Sequence, residues 1–261
     1  MIKAVFFDID GTLVSFNTHK IPDSTQQALR EMRRRGVKVF IASGRPPLQM
    51  RFVRQLTDFE FDGYVVLNGQ YCYDDKGPFY QLPTPADSIR QLLPWLEQSS
   101  LSCSFVELDY IYLNRLSQQV LDLYAMLGGT AAIEPVDNPA RALTHTTYQL
   151  SAFLPKEQEE EFLRHLPGCK AARWNPHFAD IIPENGGKPV GVQRMLDRFG
   201  IDRQETMAFG DGGNDMDMLR YVGIGVAMGN GTAEVQASAD YVTDTVDGDG
   251  VAKALRHFGV I

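Results

Sequence analysis

Two aspartates that follow a short apolar run are the first residues whose types and spacing could do chemistry. The run Ala4–Phe7 leads directly into Asp8, and Asp10 follows two positions later with Gly11 and Thr12 behind it. The run indicates a strand buried on both faces, which leaves both carboxylates at its end and pointing the same way. Two carboxylates close together at the edge of a dry core lower stability, so their presence indicates that they bind a cation or take part in a reaction. A plain acidic turn is the alternative, because Asp-Gly is ordinary turn chemistry.

A calcium loop also begins with the spacing Asp-x-Asp. That loop needs glycine at its sixth position and glutamate at its twelfth. Here those positions hold Leu13 and His19, so the sequence excludes a calcium loop.

Further polar residues fall at the predicted carboxyl ends of later strands. Ser43 and Gly44 close a second strand, Lys188 opens a helix, and Gly210–Asp215 follows a late strand. Ligands of open parallel sheets bind at this edge. Carboxylates from separate strands can share Mg²⁺, while a hydroxyl, a lysine and glycine-rich amides suit a phosphoryl group. The set therefore indicates phosphoryl transfer, in which an anionic nucleophile needs a divalent cation and a lysine to cancel charge.

The elements that must position these residues change in pattern along the chain. Residues 1–82 alternate strand and helix, with strands at Val37–Ala42 and Tyr64–Leu67 and a hairpin beginning at Asn68-Gly69. A proline-marked stretch follows, then a helix and a strand pair occur twice, and the alternation returns after Pro183. We therefore expect an α/β fold. It consists of a discontinuous Rossmann-like parallel-sheet core, residues 1–82 and 184–261, interrupted by an inserted α+β domain, residues 83–183.

Composition limits the partners and the compartment. The 261 residues carry 25 basic and 33 acidic side chains, a net charge of −8. This charge argues against nucleic-acid and anionic-membrane partners. Three widely spaced cysteines indicate free thiols in a reducing compartment. With neither a signal-peptide pattern nor an apolar run of membrane-spanning length, we expect a cytoplasmic protein. We also expect a monomer, with an oligomer as the alternative left open.

The chain resembles the haloacid dehalogenase-like phosphatases over essentially its whole length. Four segments match the four motifs of that family in order, namely Asp8–Thr12, Ala42–Arg45, Lys188 and Gly210–Asp215. The tail segments Val222–Gly231 and Asp247–Val251 are similar to the Cof-type branch. That branch carries a large α+β cap, type IIB, between its second and third motifs, so the resemblance implies that residues 83–183 are a cap that sets specificity.

The resemblance also implies a role for each matching residue. Asp8 would be the nucleophile and Asp10 the general acid and base. Mg²⁺ would be held by Asp8, the Asp10 backbone carbonyl and Asp211, with Asp215 acting directly or through a water molecule. The phosphoryl group would be bound by Ser43, Lys188, Asn214 and the amides of Ile9, Asp10 and Gly44. Pro189 replaces the glycine that many relatives have after the motif lysine, and proline suits a first helical turn.

Arg45 and the reaction itself each leave alternatives open. Arg45 would either contact the non-phosphate part of the substrate or form a structural ion pair. The resemblance implies a Mg²⁺-dependent phosphatase that acts on a small phosphorylated metabolite, and on a sugar phosphate in particular, through an aspartyl-phosphate. The alternatives are a phosphotransferase or mutase on the same intermediate and a phosphometabolite sensor without catalysis.

Overall fold

The computed structural model describes residues 1–127 and 133–261. Its strands are β1 Ala4–Phe7, β2 Lys38–Ala42, β3 Gly63–Val66, β4 Tyr71–Asp74, β5 Gly77–Gln81, β6 Cys103–Val106, β7 Ile111–Leu113, β8 Gln149–Ala152, β9 Cys169–Asn175, β10 Phe178–Pro183, β11 Thr206–Gly210, β12 Ile224–Ala227 and β13 Tyr241–Val242. Its α-helices are α1 Asp23–Arg34, α2 Met50–Leu56, α3 Ala86–Gln98, α4 Gln118–Leu127, α5 Glu159–Arg164, α6 Lys188–Phe199, α7 Met216–Tyr221, α8 Ala233–Gln236 and α9 Gly250–His257.

The larger sheet has eight strands in the order β13-β12-β11-β1-β2-β3-β4-β5. Pairing is parallel from β13 to β3 and antiparallel from β3 to β5. The parallel part brings the carboxyl ends of β1, β2 and β11 to one edge, because Phe7 pairs with both Ile41 and Phe209. This edge holds the residues that the sequence predicts to do chemistry.

β1 is buried on both faces, as its apolar run predicts. Val5 and Phe7 pack into one hydrophobic cluster with side chains of α1 and α9. Ala4 and Phe6 pack into the opposite cluster with side chains of α6 and α7. A central strand covered by helices on both faces is held rigidly, so the residues that follow it are held as well.

The chain divides into two compact units. The first comprises residues 1–45, 49–81 and 187–261, and the second comprises residues 46–48 and 82–186. The second unit contains a five-stranded antiparallel sheet in the order β7-β6-β8-β10-β9. Its main cluster combines sheet residues with side chains of α3 and α5. The predicted α/β class, a parallel core with an α+β insertion, is confirmed.

The ends of two predicted elements differ from the structure or lie outside its described part. Leu67 was predicted to continue the third strand, but β3 ends at Val66 and Leu67 has a φ of 54°, which no strand residue adopts. The helix that contains Val120 and Leu123 was predicted to stop at Gly128-Gly129, a position outside the described residues. Within the described ranges, no helix combines the length and the apolar character that crossing a membrane requires.

Candidate active site

Asp8 and Asp10 lie where β1 ends, and a tight turn redirects the chain behind them. The Asp8 amide donates to the Phe209 carbonyl at 3.0 Å, which continues the pairing of β1 with β11 by one residue. Gly11 has a φ of 83°, and a Cβ atom there would lie 2.1 Å from Asp211 Oδ2. Any other residue at position 11 would clash with that carboxylate, so the glycine is required by close approach as well as by conformation.

Lys188 joins two of the four predicted acidic side chains. Its Nζ donates to Asp8 Oδ1 at 2.7 Å and to Asp215 Oδ1 at 2.5 Å, and its side chain is fully buried. The lysine opens α6 directly after Gly187, and Pro189 occupies the first turn, where no amide hydrogen is needed. The helix begins at Lys188, as the sequence predicts, and the role of the lysine in binding the phosphoryl group stays a prediction.

Asp211 and Asp215 come from the loop that follows β11. Asp215 Oδ2 accepts from the amides of Asp211 and Gly212 at 3.1 and 2.9 Å. Thr12 Oγ1 donates to Asp211 Oδ1 at 2.7 Å, and Asn230 Nδ2 donates to Asp211 Oδ2 at 3.3 Å. These bonds fix both carboxylates before any ligand arrives, because each has at least one oxygen held by a donor.

Ser43 and Asn214 flank this group from two other loops. Ser43 is 2% exposed, and its Oγ accepts from the Arg45 amide at 3.2 Å. Asn214 Nδ2 donates to Asn68 Oδ1 at 2.9 Å. Sequence reasoning gave Asn68 no part in the site, because Asn-Gly after a strand is an ordinary turn signal.

Three backbone amides predicted to bind the phosphoryl group belong to Ile9, Asp10 and Gly44. In the part of the chain that the structure describes, no carbonyl or side chain accepts a hydrogen bond from any of them. Amides without a protein partner at the end of a parallel sheet are suited to an anionic ligand.

Arg45 forms a two-point ion pair with Asp10. Its Nε donates to Asp10 Oδ2 at 2.6 Å and its Nη2 donates to Asp10 Oδ1 at 2.7 Å. The guanidinium also lies over the Phe52 ring, 5.0 Å from the centroid. Of the two roles predicted for Arg45, the structure shows the ion pair, while contact of Arg45 with a substrate stays a prediction.

Burial and crowding shift the acid–base properties of the cluster. Burial raises the pKa of Asp8 well above its ordinary value, Lys188 opposes the rise, and the carboxylates of Asp215, Asp211 and Asp10 add to it. Burial and the Asp215 carboxylate raise the pKa of Asp211 to about 7, against the hydrogen bond from Thr12. Although burial works against its charge, Lys188 has a raised pKa because Asp215 and Asp8 adjoin it. The carboxylates are therefore short of positive charge.

A divalent cation fits this donor set. Carboxylate oxygens of Asp8, Asp211 and Asp215 all lie within 4.8 Å of one another. In the described part of the chain, two cations, Lys188 and Arg45, form the salt bridges to the four predicted acidic side chains. A small hard cation with oxygen ligands would relieve that excess, and Mg²⁺ has this preference. The Asp10 carboxylate is engaged by Arg45, and its backbone carbonyl stays a predicted ligand.

Sequence reasoning missed three residues that hold the predicted ones, namely Thr12, Asn68 and Asn230. Thr12 was seen only as part of the first motif, and Asn230 only as part of a glycine-containing turn. Asn230 Nδ2 also donates to the Gly11 carbonyl at 2.8 Å, so it links the first turn to the Asp211 loop. Each of the three is a short polar residue next to a glycine, and this was the available sign that they could hold the site residues.

Comparisons with known proteins identify the family to which this chain belongs. The family model of the haloacid dehalogenase-like hydrolases matches residues 5–255. The putative phosphatase YkrA of Bacillus subtilis (strain 168) is 33% identical, over 99% of this chain and 98% of its own length.

Two solved structures are similar to this chain along nearly their whole length. BT4131, described as a subclass IIB sugar phosphatase, is 40% identical with a TM-score of 0.89, covering 99% of this chain and 100% of its own. BT1666 from Bacteroides thetaiotaomicron, described as a phosphatase of the haloalkanoate superfamily, is 35% identical with a TM-score of 0.91, covering 100% and 96%. The chain therefore belongs to the haloacid dehalogenase-like hydrolases, in their Cof-type phosphatase branch, and is a phosphoric monoester hydrolase.

Proposed function

We propose that this enzyme is a Mg²⁺-dependent phosphatase that hydrolyses sugar phosphates through an aspartyl-phosphate on Asp8. One observation carries the proposal. The Asp8 carboxylate is held by Lys188 beside Asp211 and Asp215 at the end of a buried central strand. A carboxylate fixed next to a buried lysine and two further acids has the environment that attack on a phosphate ester requires.

In the first step, an Asp8 carboxylate oxygen forms a bond to phosphorus while the ester bond to the sugar oxygen breaks. Asp10, protonated and released from its ion pair with Arg45, donates a proton to the leaving alkoxide. Lys188, Ser43 and Asn214 bind the phosphoryl oxygens together with the amides of Ile9, Asp10 and Gly44. Donors that are held before the reaction need little reorganisation as charge develops.

In the second step, water attacks the phosphorus of the aspartyl-phosphate, and the bond from phosphorus to Asp8 breaks. Asp10, now the base, takes the proton from that water, which returns both carboxyl groups to their starting states. Mg²⁺, held by Asp8, Asp211, Asp215 and the Asp10 carbonyl, would supply positive charge that offsets repulsion between the carboxylates and the phosphate.

The sugar-phosphate assignment is supported by BT4131, a sugar phosphatase by its description and 40% identical to this chain. We assign residues 1–82 and 184–261 to the catalytic core and residues 83–183 to a cap that sets specificity and excludes water. The three cysteines are free thiols, which supports a reducing, cytoplasmic setting. The proposed partner is a small phosphorylated metabolite, and the proposed working form is a monomer.

The test is release of inorganic phosphate from a panel of phosphate esters, measured with Mg²⁺ and with a chelator. We expect the fastest release on hexose or pentose phosphates, and a loss of at least about 100-fold with the chelator, because the cation supplies several kcal/mol of charge stabilisation. Isomerised ester with little free phosphate would point to a mutase instead. Binding without turnover would point to a sensor.

Arg45→Lys separates the two roles open to Arg45. The substitution keeps the charge but loses the two-point geometry on Asp10. If Arg45 serves Asp10, we expect kcat to fall about tenfold with KM within about twofold. A rise in KM with unchanged kcat would show instead that Arg45 contacts the substrate. Arg198→Lys is the matched control, because Arg198 pairs with Asp74, a partner outside the site.

A further inference from the structure

Three consecutive residues take left-handed conformations directly after β3. The φ angles are 54° at Leu67, 52° at Asn68 and 92° at Gly69. Glycine adopts this region at little cost, and asparagine does so more readily than most residues, but a leucine there is strained. Leu67 is fully buried and Asn68 is 1% exposed. Strain of this kind persists only where the surrounding structure imposes it, and it is concentrated at functional sites.

The backbone of this turn fixes the loop that carries Ser43. The Ser43 amide donates to the Val65 carbonyl at 2.8 Å, and the Asn68 amide donates to the Ser43 carbonyl at 3.0 Å. The Leu67 amide donates to the Arg45 carbonyl, also at 3.0 Å. The loop between Ser43 and Arg45 is therefore hydrogen-bonded to the turn along its length.

Gly69 brings the same turn against the start of α6. A Cβ atom on Gly69 would lie 2.1 Å from the Gly187 carbonyl oxygen and 3.0 Å from Lys188 Cα. A Cβ atom on Gly191 would lie 2.8 Å from Gly69 Cα. Backbone packs directly on backbone here, so the turn also sets the position from which Lys188 extends.

The Asn68 side chain reaches the third phosphoryl-binding side chain. Its Oδ1 accepts from Asn214 Nδ2 at 2.9 Å. Because Asn68 Oδ1 can only accept, this bond holds the Asn214 side chain with its nitrogen, and not its oxygen, on this side. The nitrogen carries two N–H groups, so the second N–H remains for a ligand. Asn214 alone could rotate its amide and present an oxygen, which a phosphoryl group would repel.

We propose that Asn68 is a positioning residue, whose Oδ1 orients the Asn214 amide so that it donates to the phosphoryl group. The left-handed turn is what carries this oxygen to Asn214 while its backbone holds the Ser43 loop and the start of α6. The inference rests on the phosphate-binding role given to Asn214 in the proposed function.

The experiment measures binding of inorganic phosphate, with Mg²⁺ present, by calorimetry in a double-mutant cycle. Asn68→Gly removes the acceptor yet tolerates the left-handed conformation. We expect Asn68→Gly and Asn214→Ala each to weaken phosphate binding roughly five- to tenfold, which is the contribution of one oriented hydrogen bond. The double variant should bind within about twofold of Asn214→Ala, because Asn68 then has no amide to orient.

Losses that multiply in the double variant would overturn the proposal and leave the proposed function intact. A wild-type protein that binds no phosphate would overturn both. Asn68→Ala is the control for folding, since alanine in a left-handed position should lower Tm by about 3 °C more than glycine does. Equal phosphate affinity in the Ala and Gly variants supports the orienting role. An affinity that instead follows Tm contradicts it.

Discussion

Asp8→Asn is expected to abolish phosphate release while leaving the fold intact. The amide has nearly the shape of the carboxylate but is not a nucleophile, so no aspartyl-phosphate forms. Loss of a nucleophile costs at least about 10⁴-fold in kcat. Phosphate release under saturating substrate measures the loss, and trapping with radiolabelled substrate measures the intermediate. Release near the wild-type rate would contradict the covalent mechanism.

The same variant carries a stability prediction. Folding raises the pKa of Asp8, chiefly through burial. At pH values above 3.8, the ordinary pKa of Asp, the ionised form is therefore less favourable in the folded protein than in the unfolded chain, which lowers the free energy of unfolding. Without metal, Asp8→Asn should therefore melt at the wild-type temperature or higher, and its advantage should grow as the pH rises from about 4 toward neutrality. Asp217→Asn is the matched control, because its side chain is 76% exposed and its change should alter neither property.

Lys188→Met is expected to damage both activity and stability. The variant keeps much of the side-chain volume but leaves Asp8 and Asp215 buried without their cation. Removing one partner of a buried ion pair costs about 3–5 kcal/mol, which lowers Tm by roughly 10 °C in a chain of this size. Loss of a preorganised phosphoryl-binding donor lowers kcat by a further factor of about 10²–10³.

The control for Lys188→Met is Lys253→Met. Lys253 pairs with Asp244 on the surface, where the two side chains are 54% and 45% exposed. Solvent screens an exposed pair, so it adds little to stability; Tm should move by at most roughly 3 °C and activity should not change. Equal effects of the two substitutions would show that Lys188 has no special place in the site.

Much of the core could be predicted because local pattern and tertiary environment agree there. The run Ala4–Phe7 is apolar at every position, and the structure buries it on both faces. α6 begins at Lys188 and buries Val192, Met195 and Leu196, which recur at helical spacing. The strand order could not be predicted from these patterns, because pairing of β1 with β11 depends on contacts between distant parts of the chain.

Within the site, the first motif predicted where Asp8 lies but not what holds its neighbours. Asp211 depends on Thr12, and Asn214 depends on Asn68, across sequence separations of 199 and 146 residues. No spacing rule links such pairs. The left-handed Leu67 was missed for a second reason, since an apolar residue after an apolar strand favours continuing it. There the surrounding hydrogen bonds override local preference.

The central position of β1 has a consequence for synthesis. One flank of β1 pairs with β2 soon after both emerge from the ribosome, but the other flank pairs with Thr206–Gly210, made much later. Until then the growing chain has an unpaired apolar strand edge, which favours aggregation. Asp211 and Asp215 lie just beyond this segment, so the nascent chain completes its acidic cluster only after that edge has closed. A ribosome that stalls before residue 206 therefore yields a product that is both inactive and prone to self-association.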